Sequence, residues 1–198
     1  MVRHEKLRIG LFGGTFNPPH VGHLIVAEHV CAELRLDKVF FVPSYISPHK
    51  QRGEEELAPH RLRMLRLAIK DNPRFSCSEI ELERKGTSYT FQTVEAFHKK
   101  YPTDKLFVII GADNFADFHT WKKPERILDL ASLIVMNRPH HALDVAPSFV
   151  ERAARIVYVP DIEISSSEIR KKIRYGDSIA YLVTSPVAQY IRRHRLYR

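Results

Sequence analysis

The stretch Gly13-Gly14-Thr15-Phe16-Asn17-Pro18-Pro19-His20-Val21-Gly22-His23 predicts the architecture of this chain. It follows a short apolar run, residues 7–12, that is typical of a buried strand. It precedes residues 24–34, in which apolar residues recur at helical spacing. The glycines therefore stand where a strand passes into a helix. In an α/β sheet, ligands bind at this junction, and the first turn of the helix offers free N–H groups and a positive dipole to an anion.

Individual residues of the stretch favour binding to phosphate groups. Gly13 and Gly14 allow a tight turn and a close approach of the backbone. Asn17 can cap the helix, and the two prolines suit the positions at its start. His20 and His23 are three residues apart, so we expect them on one face of the first helical turn. There both imidazoles can donate hydrogen bonds to phosphate oxygens.

The stretch by itself leaves two alternatives open. One is a plain strand–turn–helix with chance histidines. The other is a zinc site, but a closed site needs four ligands and only Glu28 or His29 is near enough in sequence. The patterns G-x-G-x-x-G and G-x-x-x-x-G-K-[ST] do not occur, so neither the dinucleotide fingerprint nor the P-loop applies.

The rest of the chain alternates predicted strands with predicted helices. Apolar runs predict strands at 37–43, 75–83, 106–110, 133–136 and 155–159. Helical spacing, prolines and capping signals predict helices at 58–72, 90–101, 124–130, 168–175 and 186–195, with a short helix before Trp121. This alternation indicates one doubly wound α/β domain over residues 1–198, with a mainly parallel sheet that is covered on both faces.

Three further polar groups are expected near the same edge of the sheet. His49 and Lys50 follow the strand at 37–43, and Asp113 follows the strand at 106–110. Downstream, Ser165 or Ser166 can cap a helix, and Arg170 can bring a fork of donors to a phosphate. A solvated loop and an ordinary capped helix are the alternatives for the first and last of these groups.

Composition narrows the function classes. The chain has 198 residues, 44% hydrophobic and 27% charged, and a net charge of +8. Residues 165–198 carry eight Lys or Arg against two acids, which suits a polyanion such as a nucleoside triphosphate as well as it suits nucleic acid. The absence of a signal-like segment and the presence of only two cysteines lead us to expect a cytoplasmic protein with reduced thiols.

Three ordered motifs resemble one known family. Residues 13–23 resemble the (H/T)xGH signature of the nucleotidyltransferase superfamily, in the form typical of bacterial nicotinate-nucleotide adenylyltransferases. Ile164-Ser165-Ser166-Ser167-Glu168-Ile169-Arg170 resembles the family motif ISSTxIR, with serine in place of threonine at 167. Gly111-Ala112-Asp113 and Trp121 resemble a third motif. Together they cover residues 9–170.

The resemblance implies a Rossmann-like nucleotidyltransferase fold. It also implies adenylyl transfer from ATP to nicotinic acid mononucleotide, which yields deamido-NAD and pyrophosphate. The implied catalytic residues are His20 and His23. The implied ATP-binding residues are Gly13, Gly14, Thr15, Phe16, His49, Lys50, Ser165, Ser166, Ser167, Ile169 and Arg170, with the helical part 165–198 completing this site. The implied mononucleotide-binding residues are Asn17, Tyr89, Thr90, Gly111, Asp113, Trp121 and Lys122.

We expect Mg²⁺ to arrive on ATP rather than in a protein metal site. We expect no nucleic-acid or membrane partner, and the sequence leaves a homodimer open. The alternatives are a phosphopantetheine adenylyltransferase and a non-catalytic nucleotide- or RNA-binding module on the same fold. The first usually has threonine at the position of His20 and lacks a match to the Asp113…Trp121 segment.

Overall fold

The computed structural model describes residues 6–48, 55–137 and 148–198. It contains a six-stranded sheet in which every paired strand is parallel, in the order β3-β2-β1-β4-β5-β6. The strands are β1 (Arg8–Gly14), β2 (Lys38–Pro43), β3 (Phe75–Cys77), β4 (Lys105–Gly111), β5 (Ser132–Asn137) and β6 (Ala154–Tyr158). The order reverses between β1 and β4, which confirms the doubly wound α/β fold.

Helices connect the strands and cover both faces of the sheet. They are α1 (Val21–Glu33), α2 (Ala58–Ile69), α3 (Ile80–Arg84), α4 (Thr90–Lys100), α5 (Ala112–Ala116), α6 (Pro124–Leu130), α7 (Ser148–Ala153), α8 (Ser166–Tyr175) and α9 (Ser185–Arg193). Within the described ranges, no helix combines the length and the hydropathy needed to cross a membrane.

Side chains of the central strands alternate between two cores. Ile9 and Leu11 of β1 pack with the buried face of α4, whereas Phe12 packs with α1 and α2. Successive residues of a strand point to opposite faces, so one strand contributes to both cores. A third cluster joins α2 to the C-terminal helices; it contains Met64, Ile169, Val183, Val187, Ile191 and Leu196.

The prediction of a strand over 75–83 is wrong beyond Cys77. The parallel ladder continues as far as the Ser78 N–H, which donates to the carbonyl of Phe41 at 2.9 Å. The next bond in the ladder would come from the N–H of Pro43, which proline lacks. The chain therefore leaves the sheet and forms α3, although Ile80 and Leu82 continue an alternating pattern in the sequence.

Other boundaries differ by a few residues. β1 runs through both glycines to Gly14, and α2 ends at Ile69 rather than at residue 72. Helix α7 was not anticipated.

Candidate active site

A cavity of about 670 Å³ lies at the point where the strand order reverses. The carboxyl ends of β1, β2 and β4 form part of its wall, as expected for the ligand site of a doubly wound sheet. Eight of the residues predicted to bind substrate line this cavity: Gly13, Gly14, Thr15, Tyr89, Thr90, Gly111, Trp121 and Lys122. The fold thus brings together residues that are separated by more than 100 positions in the chain.

The two glycines act within β1 rather than in a turn after it. A Cβ atom at Gly14 would stand 2.8 Å from the ring of Phe16, so this position excludes any side chain. A Cβ atom at Gly13, which lines the cavity, would meet no atom of the described residues within 4 Å. The turn is made at Phe16, whose φ of 51° lies in the left-handed region.

His20, not Asn17, is the N-cap residue of α1. The backbone N–H of His20 donates to Nδ1 of His23 at 3.1 Å, and the two imidazole rings stack with their centroids 3.6 Å apart. The Phe16 ring packs edge-on against His23 at 5.0 Å. The two histidines therefore form one unit at the start of α1, next to the cavity-lining Thr15.

Burial keeps both imidazoles neutral at pH 7. It lowers the pKa of His20 to about 4. Burial, reinforced by the neighbouring charge of His20, lowers the pKa of His23 to about 3. Because Nδ1 of His23 accepts a backbone N–H, its proton resides on Nε2. A neutral imidazole can donate a hydrogen bond to a phosphate oxygen, and an adjacent polyanion favours its protonation.

The N-terminus of α8 packs against the loop that precedes α1. Ser165 caps α8 by accepting the N–H of Glu168 at 3.1 Å, as predicted. The Ser166 hydroxyl donates to the carbonyl of Pro18 at 2.8 Å. Arg170 donates to the carbonyl of Asn17 at 2.7 Å and to the Ser167 hydroxyl at 3.2 Å. The predicted serine–arginine group thus lies beside the histidine pair.

Several predicted contact residues do not reach the cavity with their side chains. Phe16, Asn17 and Ile169 are buried at 2%, 3% and 0% exposure, and none of them lines its wall. Asp113 is exposed in the first turn of α5, and its neighbour Asn114 lines the cavity instead. The cavity lining also does not include His20, His23, Ser165, Ser166, Ser167 and Arg170. The roles assigned to all of the predicted site residues stay predictions. His49 and Lys50 lie outside the described residues.

The opposite part of the wall is built from α4 and the segment before α6. Tyr89 is the N-cap residue of α4, so the first turn of an eleven-residue helix begins at Thr90 in the wall. Trp121 packs on Phe118, with ring centroids 5.2 Å apart, and its buried indole N–H has no hydrogen-bond partner among the described residues. The ammonium of Lys122 lies 4.3 Å from the centroid of the Tyr89 ring. This wall offers a flat aromatic face and a helix N-terminus to one ligand.

Sequence reasoning missed Arg61, which is fully buried in α2. Its guanidinium donates to the carbonyls of Thr15 and Ser44, both at 2.7 Å, and to that of Tyr45 at 3.4 Å. It therefore links the chain leaving β1 to the chain leaving β2, which are two edges of the cavity. A signal was present, because Arg61 occupies a position in the apolar stripe of α2.

Glu81 was also missed, since α3 was predicted as a strand. Its carboxyl group is buried in the cavity wall and accepts hydrogen bonds from the hydroxyls of Thr93, at 2.6 Å, and Ser88. Burial raises the pKa of this carboxyl. Ser88 also accepts the N–H of Tyr45 at 2.9 Å. Glu81 thereby connects α3, the start of α4 and the loop after β2.

The described residues hold no group of three or more histidine, cysteine, aspartate or glutamate side chains arranged around a common metal position.

Stacked imidazoles at a helix N-terminus, next to a cavity at the reversal of a parallel sheet, place the protein in the class of α/β nucleotidyltransferases. The chain belongs to the cytidylyltransferase-like family, whose model matches residues 11–172, and within it to the nicotinate-nucleotide adenylyltransferases.

Comparison with individual proteins supports this assignment. The chain is 39% identical over 190 residues to the nicotinate-nucleotide adenylyltransferase of Bacillus subtilis, covering 96% of this chain and 98% of the relative. The nicotinic acid mononucleotide adenylyltransferase of Plasmodium falciparum shares the fold. Its structure complexed with APC gives a TM-score of 0.75 at 17% identity, over 96% of this chain and 97% of that chain. Its structure complexed with NaAD gives 0.76 at 19% identity over the same shares.

Proposed function

We propose that this protein transfers the adenylyl group of ATP to nicotinic acid mononucleotide and releases deamido-NAD and pyrophosphate. The observation that carries the proposal is the cavity at the β1–β4 reversal. Its wall contains both the N-terminus of α4 and Trp121, next to the loop that bears the histidine pair. A pyridine ring with a carboxylate matches the first two features, and a triphosphate matches the third.

The reaction needs alignment and charge stabilisation rather than an activated side chain. A phosphate oxygen of the mononucleotide attacks the α-phosphorus of ATP, and pyrophosphate leaves with the bonding electron pair. His20 and His23 donate hydrogen bonds to the phosphates as negative charge shifts toward pyrophosphate. The first turn of α8 and Arg170 supply further donors from the other side of the loop.

Acceptor choice follows from the wall around α4. The dipole and N–H groups at the start of α4 favour a carboxylate over a neutral amide by roughly 2–4 kcal/mol. We therefore propose that nicotinic acid mononucleotide is preferred over the nicotinamide form by roughly 30- to 1,000-fold in kcat/KM. Trp121→Ala should weaken the use of both acceptors and leave ATP binding nearly unchanged, because we assign Trp121 to the acceptor and not to ATP.

We also propose that Mg²⁺ enters on the triphosphate. Mg²⁺ commonly binds through substrate phosphates with few protein ligands, so the donor set of this site, rich in N–H and hydroxyl groups, suits a metal carried by ATP. The free thiols of Cys31 and Cys77 support a reducing compartment, and we assign the protein to the cytoplasm. Association into a homodimer stays a prediction that sedimentation can test.

Pyrophosphate release from ATP tests the proposal directly. Purified protein is supplied with ATP, Mg²⁺ and, in separate reactions, nicotinic acid mononucleotide, nicotinamide mononucleotide or phosphopantetheine. We expect rapid release with the first, slow release with the second and none with the third. Release with phosphopantetheine alone would identify the related adenylyltransferase, and the absence of release with all three acceptors would indicate a non-catalytic binding module or another activity.

Variants at the histidine pair test the mechanism. His20→Ala and His23→Ala should each lower kcat by about 10²–10³, the usual effect of removing one charge-stabilising donor. His29→Ala is the matched control, because His29 lies on the same helix with an exposed side chain. Wild-type turnover by either of the first two variants would contradict the assigned role. For Arg170, the alanine variant should lose about 1.5–3 kcal/mol of transition-state binding, and lysine should restore only part of it.

A further inference from the structure

The C-terminal region contacts residues 17–21, the segment that leads into the histidine pair at the start of α1. We call residues 17–20 of this segment the loop before α1. Four hydrogen bonds from the C-terminal region reach residues 17–21. Two are the bonds from Ser166 and Arg170 to the carbonyls of Pro18 and Asn17. The third joins the N–H of Val21 to the carbonyl of Leu182 at 2.9 Å. The fourth runs from the hydroxyl of Tyr197 to Oδ1 of Asn17 at 2.5 Å, across 180 positions of sequence.

The Tyr197 contact differs from the other three because it acts on a side chain. Asn17 is 3% exposed, so the orientation of its amide is decided by hydrogen bonds inside the protein. A hydroxyl that donates to Oδ1 selects one of the two amide orientations. Arg170 holds the carbonyl of the same residue. Both polar ends of Asn17 are therefore held by the C-terminal region.

Tyr197 is itself held in place by its surroundings. The neighbouring Leu196 is buried in the cluster that joins α2 to the C-terminal helices, and its N–H donates to the carbonyl of Ile191 at 3.1 Å. Arg195 and Tyr197 have φ values of 51° and 68°. Such a conformation is unfavourable for residues other than glycine and persists where packing and hydrogen bonds determine it. The final turn thus presents the Tyr197 hydroxyl in a defined position.

We propose that Tyr197 is a positioning residue for adenylyl transfer. Its hydroxyl fixes the amide of Asn17 and, through this residue, the segment that presents His20 and His23 to the phosphates. The inference rests on the proposed function for its kinetic readout. Catalysis by placed donors is sensitive to small displacements, so the loss of one bond in the support of the loop lowers kcat.

Tyr197→Phe keeps the ring and removes only the hydroxyl. A net hydrogen-bond contribution of about 0.5–1.5 kcal/mol corresponds to a decrease in kcat of roughly 2- to 12-fold. We expect this decrease together with a fall in the midpoint of thermal unfolding of no more than about 6 °C. Tyr175→Phe is the matched control, since Tyr175 is 73% exposed, and it should leave kcat unchanged.

A double-mutant cycle tests whether Tyr197 acts through Asn17. In the Asn17→Ala background, Tyr197→Phe should have no further effect on kcat, whereas in the Asn17→Asp background, which retains an acceptor, it should again lower kcat. If Tyr197→Phe lowers kcat by the same factor in wild type and in the Asn17→Ala background, the two residues act independently and the proposal is overturned. A fall in the unfolding midpoint at unchanged kcat would overturn it as well, because it would show a merely structural role.

An NMR readout separates this proposal from the proposed function. In spectra of the histidine imidazoles, Tyr197→Phe should shift the signals of His20 and His23, and Tyr175→Phe should leave them in place. These signals report the position of the loop without any turnover. If the wild-type protein releases no pyrophosphate with any acceptor, the proposed function fails, and the spectra still decide whether Tyr197 positions the histidine pair. Unshifted signals in Tyr197→Phe would refute the positioning.

Discussion

Acid should destabilise this protein through His20. The unfolded chain binds a proton on this imidazole near pH 6.5, whereas burial delays protonation in the folded protein until about pH 4. Between these values the unfolded state holds more protons, so the free energy of unfolding falls as the pH falls. The contribution of neutral His20 is fully present above pH 6.5 and is lost progressively down to pH 4.

At pH 5 the loss of unfolding free energy depends only on the pKa of His20 in the unfolded chain, because the pKa of His20 in the folded protein lies below 5. A difference of 1.5 pH units below 6.5 corresponds to about 2 kcal/mol. We base this magnitude on His20 because its side chain is 8% exposed. His23 should change stability in the same direction, but its side chain is only half-buried, and solvent near the ring reduces the penalty for charging it.

Urea unfolding at pH 7.5 and pH 5 provides the assay. Other titrating groups also change stability over this range, so the informative quantity is the difference between wild type and His20→Gln. The variant should lose about 2 kcal/mol less than wild type between the two pH values. His29→Gln serves as the control for removing an exposed histidine from the same helix and should behave as wild type. An equal loss in wild type and His20→Gln would refute the idea that His20 is buried and neutral.

Three further predictions concern residues around the cavity. In Gly22→Ala, the new Cβ would stand 3.0 Å from Nδ1 of His20, so kcat should fall about tenfold or more. The free energy of unfolding should stay equal or rise, because alanine stabilises a helix relative to glycine by up to about 1 kcal/mol. Wild-type activity of Gly22→Ala would disprove the contact between the new Cβ and His20. Arg61→Met should lower the free energy of unfolding by urea by about 3 kcal/mol or more, since two short hydrogen bonds from a buried cation are lost. Arg63→Met is the control, because Arg63 is exposed, and it should change the free energy of unfolding by less than about 0.5 kcal/mol. Equal effects of the two variants would contradict the role of Arg61 in linking the chains that leave β1 and β2. Burial raises the pKa of Glu81, whose carboxyl lies in the cavity wall that we assign to the acceptor. Because rising pH ionises this carboxyl, KM for an anionic acceptor should increase with pH in wild type and less in Glu81→Gln, while KM for ATP stays unchanged. The same pH dependence of the acceptor KM in both proteins would exclude an effect of Glu81 on acceptor binding.

The elements that local signals define were predictable. Helix α6 begins at Pro124 and ends at Leu130, as predicted, because proline suits the first turn and an apolar strand follows soon after. The strand β4 and the cap of α8 by Ser165 were likewise anticipated from an apolar run and a capping serine. The second half of the predicted third strand failed, because its end depends on a proline in a different strand.

The candidate site was predictable where its residues belong to short motifs. The stretch around His20 and His23 was located from its motif, and Tyr89 and Thr90 from the family resemblance. The fold places them around one edge of the sheet, and their roles stay predictions. Arg61 and Glu81 were not found, since the partners of Arg61 lie 16 to 46 positions away and Thr93, one partner of Glu81, lies 12 positions away. A charged residue within an apolar stripe shows only that it is buried, and the groups it contacts emerge after α2 has packed against the sheet.

The sequence by itself determined the doubly wound sheet, the strand-to-helix junction after β1 and the chemical types of the groups that we propose to bind phosphate. These features depend on periodicity, capping and turn preferences that act over a few residues. Only the tertiary structure decided that His20 rather than Asn17 caps α1, that the imidazole of His20 is buried and neutral, and that Tyr197 reaches Asn17. Such properties depend on which surfaces exclude water and on which distant segments meet. Packing of the whole chain sets both, because burial and long-range hydrogen bonds exist only in the assembled fold.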